Sequence, residues 1–94
     1  MALARVVSFE GVGKERMEQM EREIGEGGRP EEVPASEIVV LHDAEAETSL
    51  VILFFENEDD FRRGDDALNA MPASETQGRR TSVRRYDVAM RMTA

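Results

Sequence analysis

Apolar and polar side chains alternate from Ala4 to Glu10, ARVVSFE, with Arg5, Val7 and Phe9 on one side and Val6 and Ser8 on the other. That period of two predicts a strand, and the Gly-Val-Gly that follows ends it. From Lys14 to Ile24 the period changes: Met17, Met20 and Ile24 form one apolar stripe on an otherwise charged segment, which predicts a helix with Gly25 closing it. The stretch GEGGRPEEVPASE is rich in Gly and Pro and reads as a loop. Glu37 to His42 and Ser49 to Phe55 are the next two strands, joined by the short polar DAEAET as a hairpin. Asn57 then caps a helix whose first turn carries Glu58, Asp59 and Asp60. Phe61, Gly64, Leu68 and Met71 form its buried stripe, and Pro72 stops it. Gly64 lies inside that stripe at a cost of about 1 kcal/mol in helix propensity, so close packing against a sheet is the expected reason for it. A last alternating segment, SVRRYDVAMRM, puts Tyr86, Val88, Met90 and Met92 on one face of a fourth strand.

The order is β-α-β-β-α-β. It predicts an α+β, ferredoxin-like fold over residues 1–94 as one domain: a four-stranded antiparallel sheet with both helices on one face. The third strand changes this picture, because Leu50 to Phe55 are six apolar residues in succession and so ask for burial on both faces. Two helices cover one face only. The other is expected to be covered by a second copy in a homodimer, sheet on sheet.

These residues resemble a known family. The strand and helix order, the run from Phe55 through Glu56, Asn57, Glu58, Asp59 and Asp60 to Phe61, and the closing VRRYDVAMR are similar to the dimeric α/β barrel superfamily, and within it to antibiotic biosynthesis monooxygenase-like domains. The resemblance spans nearly the whole chain. It implies a homodimer with a small apolar pocket in each subunit, binding a hydrophobic or aromatic metabolite for cofactor-independent monooxygenation. Many members carry Trp where this chain has Phe55. Haem-degrading members also need a His on the second helix, and that position falls near Gly64 here, so haem degradation is not expected.

Charge and composition narrow the function classes. The 94 residues carry 12 basic and 20 acidic side chains, a formal charge of −8. Such a field repels nucleic acid and anionic membrane surfaces. The charge is uneven: residues 1–35, 36–77 and 78–94 are −3, −9 and +4, so a basic tail follows an acidic middle. Eleven of the twelve basic residues are Arg, which reads as the codon usage of a GC-rich bacterial genome. There is no cysteine, so disulfides, thiolate metal sites and cysteine nucleophiles are excluded. The opening MALARVVSFE has neither a signal peptide nor a membrane span, and a soluble cytoplasmic protein is expected.

Candidate chemistry is sparse. His42, the single histidine, stands beside Asp43 at a strand end, where Asp commonly opens a turn. A turn is the first reading and a general base in a pocket the second. Zinc would need its other ligands from carboxylates alone, so no metal and no cofactor are expected. Tyr86 is the single tyrosine; packing is its first reading, and pointing its hydroxyl at a ligand its second. Phe9 and Phe54 are core residues that in a small barrel could line a ligand cavity. Gly11-Val12-Gly13-Lys14 is no phosphate loop, because the GxxxxGK[ST] pattern is missing. The acids of ENEDD and GDD lack calcium-loop spacing and read as a solvated helix face. RNA-recognition modules share the strand order, but SLVILFF has none of their basic-aromatic motif. Three function classes remain: a cofactor-free enzyme acting through His42 and Tyr86, a ligand-binding regulatory module, and a structural dimerisation module.

Overall fold

The computed structural model describes residues 2–27, 33–70 and 79–92, with the side chains of 23–27 left aside. Ile24 and Met71, both assigned above to helix stripes, therefore lie outside the described side chains. The elements follow as β1 (Leu3–Glu10), α1 (Lys14–Gly27), β2 (Glu37–Asp43), β3 (Thr48–Phe55), α2 (Glu58–Asn69) and β4 (Arg79–Asp87). The sheet is antiparallel throughout, in the order β2-β3-β1-β4. This is the ferredoxin-like α+β arrangement.

Register assigns each side chain to a face. Leu3, Arg5, Val7 and Phe9 of β1 lie level with Phe55, Leu53, Val51 and Ser49 of β3, and this row meets both helices. Around α1, Val7 and Phe9 cluster with Val12, Met17 and Met20. Around α2, Leu3, Leu53 and Phe55 cluster with Val33, Ala35 and Phe61, the Phe55 and Phe61 rings meeting edge to face at 5.4 Å. The helix-facing alternation of β1 thus matches the sequence pattern, with Arg5 buried among apolar neighbours.

Helix α2 starts where the local chemistry puts it. Asn57 holds extended backbone and its side-chain oxygen accepts from the Asp60 amide at 2.8 Å, while the three acids of the first turn meet the positive end of the helix dipole. Gly64 faces the sheet: a β-carbon there would sit 2.5 Å from Phe55 Cε1. Helix α1 runs two residues past Gly25, a difference of the kind common at frayed helix ends.

The fourth strand departs from expectation. It begins at Arg79 and ends at Asp87, so Val88, Met90 and Met92 do not share a strand face with Tyr86. The reason is its partner. Asp87 pairs with Leu3, the first residue of β1, and only one more bond follows, from the Val88 amide to the Ala2 carbonyl. Past that bond the chain leaves the ladder, and alternation alone cannot hold it in a strand. A register shift between Ser8 and Phe9 bends β4 against β1, and the Thr81 hydroxyl donates to the Ser8 carbonyl beside it.

Candidate functional site

The β2–β3 hairpin places His42 and Asp43. Asp43 accepts the amides of Glu45 and Ala46 on one carboxylate oxygen, both at 3.1 Å, which is the bonding of a turn opener. Glu47 then takes a left-handed conformation, φ 54°, and its carbonyl accepts the Val12 amide at 2.8 Å. His42 completes the clasp. Its Nε2 stands 2.8 Å from the Val12 carbonyl, and because a carbonyl only accepts, Nε2 carries the proton. Val12 is thereby bonded through both backbone groups and is fully buried. The loop can make this approach because Gly11, at φ 73°, turns the chain where other residues would be strained.

His42 therefore fastens the hairpin to the β1–α1 loop. Replacing it with Ala strands a buried carbonyl, and the expected cost is about 1–2 kcal/mol. In a domain of this size that lowers the melting temperature by several degrees, roughly 4–8 °C for each kcal/mol. Thermal unfolding followed by circular dichroism checks it, and no loss of stability would contradict the fastening role.

Phe9 is buried against α1 on the helix side. Phe54 and Tyr86 are elsewhere: both flank Ala4 in register, on the opposite face and five residues along β1, roughly 17 Å from the level of Phe9 at strand rise. The candidate catalytic residues His42 and Tyr86 and the candidate ligand residues Phe9 and Phe54 thus stand as two separated pairs, Phe9 with His42 and Phe54 with Tyr86. Phe9 and His42 border a groove of about 380 Å³ at the hairpin end, lined also by Ser8, Glu10, Leu41 and Leu50. Phe54 and Tyr86 do not line it.

The face bearing Phe54 is the open side of the sheet. Val6, Val39, Leu41, Leu50, Ile52, Phe54 and Tyr86 share it by register, and neither helix reaches it. Leu41, Leu50 and Tyr86 are 48%, 37% and 49% exposed. One end carries a cover that alternation could not show: past β4 the chain crosses the sheet, Arg91 lies 4.4 Å above the Phe54 ring and its guanidinium pairs with Glu37 of β2. Such a contact joins cation–π attraction with an ion pair.

On the helix side, Arg5 lies in the apolar row and finds partners on α2 that the strand pattern does not announce. Its Nε donates to Asp65 at 2.8 Å and an Nη to Asn69 at 3.1 Å, and Arg80 donates to the same Asn69 oxygen. At the surface of α2, Glu58 pairs with Arg62 and Arg85, and Asp60 with Arg63. Among the described residues no three His, Cys, Asp or Glu side chains are grouped to hold a metal ion. No described helix is long and apolar enough to cross a membrane.

The geometry thus offers one extended surface, the open sheet face, with a groove at one end and a crossing segment at the other. Comparison with protein-family models, with curated proteins and with solved structures returned no significant match.

Proposed function

We propose that this chain is a self-associating module whose open sheet face is covered by a second copy, in the manner of a dimeric α/β barrel. The observation that carries this reading is the row of seven apolar side chains, from Val6 to Tyr86, on a face that no helix covers. Each large side chain left in water forgoes roughly 1.5–3 kcal/mol of burial, and a patch of this kind on a small protein marks an interface. A two-fold contact suits it, since one self-complementary face satisfies both copies. The resemblance to antibiotic biosynthesis monooxygenase-like domains points to the same assembly.

Among the function classes, assembly and binding gain more support than catalysis. Oxidation of a bound aromatic metabolite would call for Phe9, Phe54, His42 and Tyr86 around one volume, and the first and third stand apart from the others. The groove beside Phe9 and His42 favours a second reading, in which a small hydrophobic ligand is held there without turnover.

Ile52 lies at the centre of the open face, level with Val6 and Val39. Placing Glu there buries a charge only if a second copy covers it. Ile52→Glu is expected to reduce the solution mass to that of one chain while the far-ultraviolet circular dichroism stays unchanged. A variant that keeps the mass of the parent protein would remove this face as the interface.

A further inference from the structure

The open face is uneven along the strands. At one end the segment after β4 forms a strap: Val88 bonds to Ala2 beside β1, and Arg91 reaches Phe54 on β3 and Glu37 on β2. Arg91 faces the sheet. Its neighbours Met90 and Met92 face away, 77% and 82% exposed, the most exposed large hydrophobic side chains among the described residues. At the other end lies the groove, where Leu41 and Leu50 stand among polar residues that include Ser8, Glu10, Asp43 and Thr48. Its volume of about 380 Å³ equals that of about a dozen waters at ~30 Å³ each. A methionine side chain, four heavy atoms long, fits within it.

We propose that the strap of one copy, through Met90 and Met92, seats in the groove against Leu41 and Leu50 of the second copy, and reciprocally. This rests on the self-association reading above and adds the arrangement. The spacing suits it. Strap and groove are centred near Phe54 and Leu50, four residues apart on β3 or roughly 13 Å, so a two-fold axis across the strands passes near Ile52, Val39 and Val6. Those apolar residues then face their own copies at the centre. Area argues the same way: four strands of eight residues span about 19 Å by 26 Å, or about 500 Å² of plane. A standard interface takes about 800 Å² from each partner, and two nearly free methionines supply much of the difference.

The rival arrangement aligns like ends, with the axis along the strands. It sets Glu37 and Asp43 of β2 over Tyr86 and Arg79 of β4. It also stacks the two straps on each other and leaves both grooves open to water. Rim charges of this kind contribute little, whereas seating the thioethers removes apolar surface from water, so shape decides. The strap-in-groove form brings the two Arg84 side chains together only at the rim, where solvent screens them.

The chain has no cysteine, so engineered ones report without background. Leu50→Cys and Met92→Cys are made as separate proteins, one tagged, then mixed and mildly oxidised. The expected product is the mixed disulfide, formed at least ten times faster than either like-with-like disulfide. A parallel pair, Leu41→Cys with Met90→Cys, guards against one unfavourable geometry. Predominance of the Met92→Cys like-with-like product, or dimeric mass with no mixed disulfide from either pair, would overturn the arrangement and leave self-association standing. Monomeric mass for the parent protein, measured alongside, would overturn the underlying reading as well.

Discussion

Gly64→Ala is expected to destabilise the fold by about 2 kcal/mol, the middle of the range for overpacking a core, although Ala is the better helix former by about 1 kcal/mol. The added β-carbon would meet Phe55 Cε1 at 2.5 Å and Cζ at 2.6 Å, distances that real β-carbons do not show. Phe55 cannot easily yield. It is fully buried, stacked edge to face on Phe61 and enclosed by Leu3, Val33 and Leu53. Either α2 lifts from the sheet or the ring leaves its rotamer. The double variant with Phe55→Leu isolates the contact, since trimming the ring removes what the β-carbon strikes. Chemical denaturation of the four species should show that the Gly64→Ala step costs less when Phe55→Leu is already present, with a coupling of about 1 kcal/mol or more. Stabilisation by Gly64→Ala alone would mean that α2 does not approach this closely.

The buried arginine leads to a second large effect, unequal between two partners. Arg5 is 2% exposed and sits level with Leu53 beneath α2, paired with Asp65 and hydrogen-bonded to Asn69. Asp65→Ala leaves the guanidinium buried without a counter-charge, and the expected cost is about 3 kcal/mol, the lower end for breaking a buried pair because the Asp65 side chain is itself about one-third exposed. Arg5→Met is expected to cost under about 1 kcal/mol, because an apolar side chain of similar length suits the row of Leu3 and Val7 and releases the charge from its desolvation. Urea midpoints for the two variants test the asymmetry. Equal losses would show that the pair, rather than the burial of Arg5, governs the stability of this layer.

Local chemistry is what the sequence makes legible. Asn57 caps through its own third amide, Asp43 opens its own turn, and Gly64 sits inside a stripe whose period already places it against the sheet. Each involves residues a few positions apart, and so does the strand alternation that leads to the element order. What cannot be read depends on partners far along the chain. Asp65 lies sixty residues from Arg5, and the Val12 carbonyl thirty residues from His42. The end of β4 depends on its pairing with β1, which alternation in SVRRYDVAMRM cannot express. The proposed ligand residues separate for the same reason: the faces of Phe9, Phe54 and Tyr86 follow from strand register, and register places the last two beside Ala4 on the open side. Arg91 over Phe54 is hidden too, since a segment that alternates like a strand would not be expected to cross the sheet.

Self-association through the open face sets the mass of the protein in solution. Light scattering on the parent chain at micromolar concentration and neutral pH tests it most directly. The expected mass is twice the 10.6 kDa of one chain, stable on dilution. A well-folded species of one chain's mass would contradict it, and Leu41, Leu50, Ile52 and Tyr86 would then be apolar surface that this protein carries in water.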